Sequence, residues 1–365
     1  MVKRTVELIV VGTDYTAKTG GIAFALPGYF LALDRAGLAY TFVCTHSSKM
    51  AHGKWLLWLR SFGLIAGEVK RIRKAGNTPL IYSHVGGGAA SFVRQFAVTA
   101  YFRLLGVESV MQLHGPEVND YIKSRIKKWL FKIAIKPSSK LGVLTGWWKL
   151  QLDNAKVNKD SYVIPNPLPM DWEERACSPR RDNEVKDDIV VLCVARLEKG
   201  KGVDDLIHAM AVLSSRYKLV VAGTGSQLLA LQQLRDDLEL TEKVDFLGWV
   251  SGKEKQELFD SSDIFCLPSR YDSFGMGYLE AMSNGLPIVA FNWGPITDVV
   301  KDQRCGYLVD EYTPAALAAA IEKLSDVEKR KGVSVECKKW VLERFSSAAI
   351  GEDIVTMIGE KNEIG

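Results

Sequence analysis

Short apolar runs recur along the chain, and each is followed by a longer stretch in which apolar residues return at helical spacing. In the first half the runs are Leu8 to Val11, Ala39 to Val43, Pro79 to Tyr82 and Val110 to Leu113. In the second they are Ile189 to Val194, Lys218 to Ala222, Val244 to Leu247, Ile264 to Leu267 and Ile288 to Ala290. Such alternation predicts α/β units, parallel sheets covered by helices. Between the halves, 169–188 is polar, contains EER and PRRDNEVKDD, and has no apolar periodicity. It reads as a linker between domains at 1–168 and 189–345, and 346–365 reads as a terminal helix.

A length of 365 residues, 47% of them hydrophobic and 25% charged, suits two soluble domains, each with its own core. The six cysteines are scattered without metal-ligand spacing, so free thiols in a reducing cytoplasm are expected. The opening MVKRTVELIVVG holds too short an apolar run for a signal peptide or a membrane span, and it reads as a first strand.

The formal charge of +4 conceals an asymmetry. Residues 1–170 hold 23 Lys and Arg against 9 Asp and Glu, and the remainder holds 24 against 34. The first half is therefore expected to face something anionic, a nucleic acid or a membrane. Tyr121 to Lys140 is the concentrated source, with seven basic residues and no acid. On one helical wheel Ile122, Ile126, Trp129, Leu130 and Ile133 form a stripe, which reads as the core face beneath a solvated basic face. Phe131 and Ile135 fall among the lysines, which suits the inner face of an anionic plasma membrane. No recognition module accompanies the charge, so no nucleic-acid partner is expected.

The segment SRYDSFGMGYLEAMSNGLPIVA joins a turn, a helix and a strand. Pro268 sets the turn, Gly275 and Gly277 permit unusual backbone angles, and Phe274 and Tyr278 give apolar footing. A helix is expected from Gly277 or Tyr278, stopped by Gly285 and Pro287 ahead of the strand at Ile288. Its first amides face the loop, where they suit an anionic group. Asp272 and Glu280 bracket the turn. Singly, each acid is explained by turn chemistry or the helix dipole; together they point to a site for a polar ligand.

In VARLEKGKGVDDLIHAM a strand ending at Ala195 gives way to a basic loop and a helix near Val203. Arg196 and Lys201 suit a diphosphate, since an Arg is able to fork onto two oxygens and a Lys acts as a point charge, with Lys199 as a competing cation. A merely solvated loop is the alternative. The first strand empties into VGTDYTAKTGGIAFALPGYF, where Gly20 and Gly21 precede a helix. The G-x-G-x-x-G spacing is absent, which argues against a nicotinamide enzyme. His84 and His114 each end a strand beside glycine, either as structural residues or aimed into a cleft. No Asp-x-Asp motif occurs, and no metal is expected.

Two acids eight residues apart around an aromatic-glycine turn resemble the donor signature of retaining GT-B glycosyltransferases, family four, and the likeness recurs in order along nearly the whole chain. Arg196, Lys201 and Gly202 match the family's Arg and, five residues on, Lys-Gly. Gly20 and Gly21 resemble its first-domain glycine loop, which approaches donor phosphate and acceptor. His114 resembles the position that contacts the donor sugar, leaving His84 as an acceptor-side candidate. Gly223 in VVAGTGSQ, and Gly248, Trp249 and Val250 in VDFLGWV, fall on the donor side, the latter loop where the family seats the nucleotide base. For Trp249 core packing is the alternative. LGVLTGWWKLQL and YVIPNPL resemble end-of-domain signatures, with Gly146 where Ser is common and Pro167 where Gly is usual. The first acid is Asp where the family has Glu, one methylene shorter.

The resemblance implies two Rossmann-like, doubly wound domains facing across a cleft, with the terminal helix returning to the first. It implies sugar transfer, with retained configuration, from a UDP- or GDP-linked donor to a hydroxyl of a glycan or lipid-linked acceptor, without a further cofactor. Bacterial-type surface polysaccharide or lipopolysaccharide synthesis is the expected setting. Glu280 is then expected on ribose hydroxyls, Asp272 on the donor sugar, and Arg196, Lys201 and the amides of Phe274, Gly275 and Met276 on the diphosphate. The departing phosphate accepts the acceptor proton, and no protein nucleophile is required. Nucleotide-sugar epimerases share the fold, and a degenerate site would leave a non-catalytic partner of a membrane glycan assembly.

Overall fold

The first apolar run becomes strand β1 (Val6–Thr13), buried on both faces: Leu8 and Val10 turn to one core, Ile9 and Val11 to the other. The computed structural model of this chain describes residues 5–17, 20–47, 54–157, 159–180 and 187–359. Around β1 come α1 (Gly21–Arg35), β2 (Tyr40–His46), α2 (Lys54–Lys74), β3 (Thr78–Val85), α3 (Ala89–Leu104) and β4 (Glu108–Leu113). They are followed by α4 (Val118–Lys123), α5 (Arg125–Ile135), β5 (Lys140–Val143), α6 (Gly146–Asn154) and β6 (Ser161–Val163). The strands pair in parallel in the order β2-β1-β3-β4-β5-β6. Helix α1 packs on one face of this sheet and α2 and α3 on the other, the arrangement right-handed crossovers give when the chain winds outward from β1 in both directions.

The second run of elements is α7 (Met170–Cys177), β7 (Ile189–Val194), α8 (Val203–Val212), β8 (Tyr217–Ala222), α9 (Leu228–Asp237), β9 (Val244–Gly248) and α10 (Gly252–Ser261). It continues through β10 (Ile264–Cys266), α11 (Met276–Ser283), β11 (Ile288–Phe291), α12 (Ile296–Val299), β12 (Gly306–Val309), α13 (Pro314–Glu322) and α14 (Val327–Phe345). This sheet is also parallel, in the order β12-β11-β10-β7-β8-β9. The last helix, α15 (Ser347–Ile358), packs Ile350, Ile354 and Met357 against Leu26, Tyr29 and Leu33 of α1. Contacts divide the chain into two compact units, Met1–Met170 with Phe345–Gly365, and Asp171–Arg344.

Two segments differ from the sequence expectation. Part of the polar passage 169–188 is the helix α7, whose Trp172 and Ala176, four positions apart, are buried; Trp172 meets Phe259 edge-on at 5.3 Å. Residues 181–186 of that passage lie outside the described residues, as do 360–365 of the terminal segment. The basic segment is also two helices rather than one. Ser124 is extended, and its side chain caps α5 by accepting from the Lys127 amide. The break resets the helical phase. Phe131 and Ile135 are buried, while Ile126, Trp129, Leu130 and Ile133 face solvent, the reverse of the expected orientation.

Candidate functional site

The loops that follow β7, β8, β9 and β10 are laced together through their backbones. Ala195 N donates to Ala222 O at 3.1 Å, Leu197 N to Thr224 O at 2.9 Å, Gly223 N to Gly248 O at 2.7 Å and Arg270 N to Gly200 O at 2.8 Å. At Gly223, with φ 148°, a Cβ would stand 1.8 Å from the carbonyl oxygen of Ala195. Gly223→Ala must therefore push backbone against backbone, and a loss of roughly 1–3 kcal/mol or more is expected in denaturant unfolding.

Lys201 rises from this frame, and its Nζ donates to Asp272 Oδ1 at 2.7 Å; the two side chains are 10% and 14% exposed. The other oxygen, Asp272 Oδ2, is buried and has no hydrogen-bond partner among the described residues. Burial pushes the nearby Cys193 thiol up to about 12, against the opposing pull of the Lys201 charge. Arg196, on the same loop, is exposed. Two hydrogen bonds from Ser226 hold the Glu198 carboxyl below its ordinary range, and the Arg196 charge adds to them.

After β10 the chain turns through Asp272 and Phe274 into α11. Gly275 caps that helix at φ 87°, where a Cβ would lie 2.5 Å from the Tyr278 ring. Tyr278 is itself fixed, its hydroxyl donating to Leu267 O at 2.6 Å. Met276 opens the helix, so the first-turn amides point back over the Asp272 turn. One turn along α11, Glu280 Oε1 accepts from Lys255 Nζ on α10 at 2.7 Å. Burial raises the Glu280 carboxyl above its ordinary range, Lys255 opposes that shift, and Asp171 adds to it. Lys255 Nζ also lies 5.8 Å from the centre of the Trp172 ring.

Lys255 and Trp172 were not sequence candidates. Trp172 sat in the passage read as a linker, and Lys255 was one charge among several in KEKQELF. The only signal was chemical: a carboxylate buried on a helix calls for a cation. Following β9, Trp249 is 59% exposed while Val250 is buried, so the indole does not serve as core packing.

In the first unit, the two histidines expected to make donor and acceptor contacts are joined to each other. His84 Nδ1 and His114 Nε2 lie 2.9 Å apart, the rings are nearly parallel, and both are buried. Burial pushes His114 down to about 3, partly opposed by a hydrogen bond with Asn166, and burial together with the His114 charge takes His84 well below its ordinary range. His84 Nε2 has no hydrogen-bond partner among the described residues. The Tyr29 ring packs edge-on to each. Gly20, at φ 82°, and Gly21 begin α1 with open space where a Cβ would stand.

Residues 176–339 match the family described as Glycosyl transferases group 1. An uncharacterized glycosyltransferase of Methanocaldococcus jannaschii is 34% identical over 191 residues, 52% of this chain and 49% of that protein, so the match spans about half its length. The alpha-D-kanosaminyltransferase of Streptomyces kanamyceticus is 25% identical over 86% of this chain and 84% of its own. Among solved structures, that of Anabaena HepE in complex with UDP and glucose superposes with a TM-score of 0.69 and 18% identity, covering 97% of this chain and all of HepE. Two doubly wound units, the second with cation–carboxylate pairs at its strand ends, define a protein of the GT-B fold. The match to the group 1 glycosyltransferases lies within the second unit, over residues 176–339, a little under half of the chain.

Proposed function

We propose that this protein transfers a sugar, with retained anomeric configuration, from a UDP- or GDP-linked donor to a hydroxyl of a glycan or lipid-linked acceptor, using fixed cations and amides rather than a metal ion at the diphosphate. The observation that carries the proposal is the pair of partly buried cation–carboxylate contacts, Lys201–Asp272 and Lys255–Glu280, on either side of the α11 N-terminus. A diphosphate placed against that terminus meets Lys201, the exposed Arg196 and the amides of Phe274, Gly275 and Met276. Asp272 Oδ2, a buried acceptor without a donor among the described residues, fits a sugar hydroxyl, and Glu280 fits the ribose hydroxyls. The exposed Trp249 and the backbone of Gly248 and Val250, linked through Gly223, fit the base. Gly21, where a Cβ would meet open space, and His114 are assigned to the donor, and Gly20 and His84 to the acceptor.

The departing phosphate takes the acceptor's proton as its bond to the sugar breaks, so the enzyme's part is positioning and charge stabilisation. A cytoplasmic enzyme of surface polysaccharide or lipopolysaccharide synthesis, working at the inner face of the plasma membrane, is the setting we propose. The test is thermal shift of the purified chain against nucleoside diphosphates and their sugars, followed by product analysis with and without acceptor alcohols. A melting point raised by one nucleotide and a glycoside formed only with acceptor are expected. No stabilisation by any nucleotide, or conversion of the donor to an epimer without acceptor, would overturn the proposal.

A further inference from the structure

Helix α5 turns an apolar stripe outward. Ile126, Trp129, Leu130 and Ile133 are 73%, 63%, 52% and 39% exposed, and their spacing places them on one side of the helix. The opposite side is satisfied: buried Phe131 packs on Phe92 of α3 and on Tyr121. Helix α3 joins α5 to α2, where Trp58 Nε1 donates to Arg94 O at 3.4 Å. The first turns of α2 expose Trp55 and Leu59, 65% and 58%. Two large apolar stripes therefore lie on the same side of one sheet, with α3 between them.

The surroundings of the α5 stripe select the partner. Lys123, Arg125, Lys127, Lys132 and Lys136 are exposed around it, and no acid occurs between Tyr121 and Lys140. A second copy docking through this face would bring the same cations together. An anionic surface with an apolar interior satisfies both features, and tryptophans at the boundary suit its headgroup layer. We infer that α5 and the first turns of α2 form a docking face for an anionic lipid bilayer, with Ile126, Trp129, Leu130 and Ile133 entering the headgroup–acyl boundary and the flanking cations meeting lipid phosphates. This reassigns the lipid contact from Phe131 and Ile135, and it stands independently of the donor chemistry.

The test is cosedimentation of the full chain with phosphatidylcholine vesicles prepared with and without phosphatidylglycerol. Partitioning at least ~10-fold stronger with the anionic lipid, and weaker as salt rises, is expected. Trp129→Ser with Leu130→Ser should lower it by a further ~10-fold or more while melting temperature and nucleotide-induced stabilisation hold, because both side chains are already exposed. Lys127→Glu with Lys132→Glu should flatten the salt dependence. Phe131→Ala should instead lower the melting temperature. Equal binding to both vesicles, or unchanged binding of the serine variant, would overturn the inference. So would a concentration-dependent dimer, seen by sedimentation velocity, that the serine substitutions abolish in a protein showing no vesicle binding.

Discussion

Replacing Arg196 with alanine is expected to lower kcat/KM for sugar transfer roughly 100- to 1000-fold, the cost of removing one preorganised charge from a developing anion, and to leave the melting temperature unchanged. The separation follows from exposure: Arg196 faces solvent on a loop whose conformation is held by backbone bonds. Lys201→Met should cost at least as much activity, but it also removes the partner of Asp272 Oδ1. A carboxylate left nearly buried and unpaired destabilises the fold, by about 3–5 kcal/mol where burial is complete and less at the 14% exposure of Asp272. The double variant Lys201→Met with Asp272→Asn removes that unpaired charge, so it should recover much of the stability and none of the activity. Near-normal transfer by both Arg196→Ala and the double variant would sink the diphosphate assignment.

Each apolar run read from the sequence lies in a strand, give or take an end residue, because strands buried on both faces must be almost continuously apolar. Three strands escaped that reading. Strand β5 contains Gly142, whose missing side chain makes room for Gln112: a Cβ there would lie 1.8 Å from the Gln112 amide oxygen. Strands β6 and β12 are short edges, only partly buried. In the site, the residue types were legible but their partnerships were not. Lys201 and Asp272 stand 71 positions apart and meet because β10 lies beside β7, an order no local pattern encodes. The shorter Asp reaches Lys201 at 2.7 Å. The misassigned face of α5 has a local cause: a wheel drawn through Ser124 assumes one continuous helix, and the extended backbone there restarts it.

Lys255 was silent in the sequence, and its replacement by methionine gives the second large effect: the pH below which donor affinity is lost should rise by roughly 1–3 units, the size of shift an opposite charge at contact distance produces. Burial already raises the Glu280 carboxyl, and Lys255 opposes that rise. Without the cation the carboxyl protonates at still higher pH and ceases to be a pure acceptor for ribose hydroxyls. The stability sign follows from the same shift. A carboxyl raised in the folded state favours folding fully below its unfolded value, about 4.3, and that contribution is lost as pH rises through the folded value. Removing Lys255 enlarges the shift, so Lys255→Met should be penalised increasingly from pH 5 toward neutrality, by about 1.4 kcal/mol for each added unit. Melting curves and nucleotide titrations across that range measure both effects. Adding Glu280→Gln should abolish the pH dependence and recover stability while affinity stays weak at every pH, since an amide carries no charge to protonate. Superimposable affinity profiles for the wild type and Lys255→Met would mean that Glu280 does not act on the donor as a carboxylate.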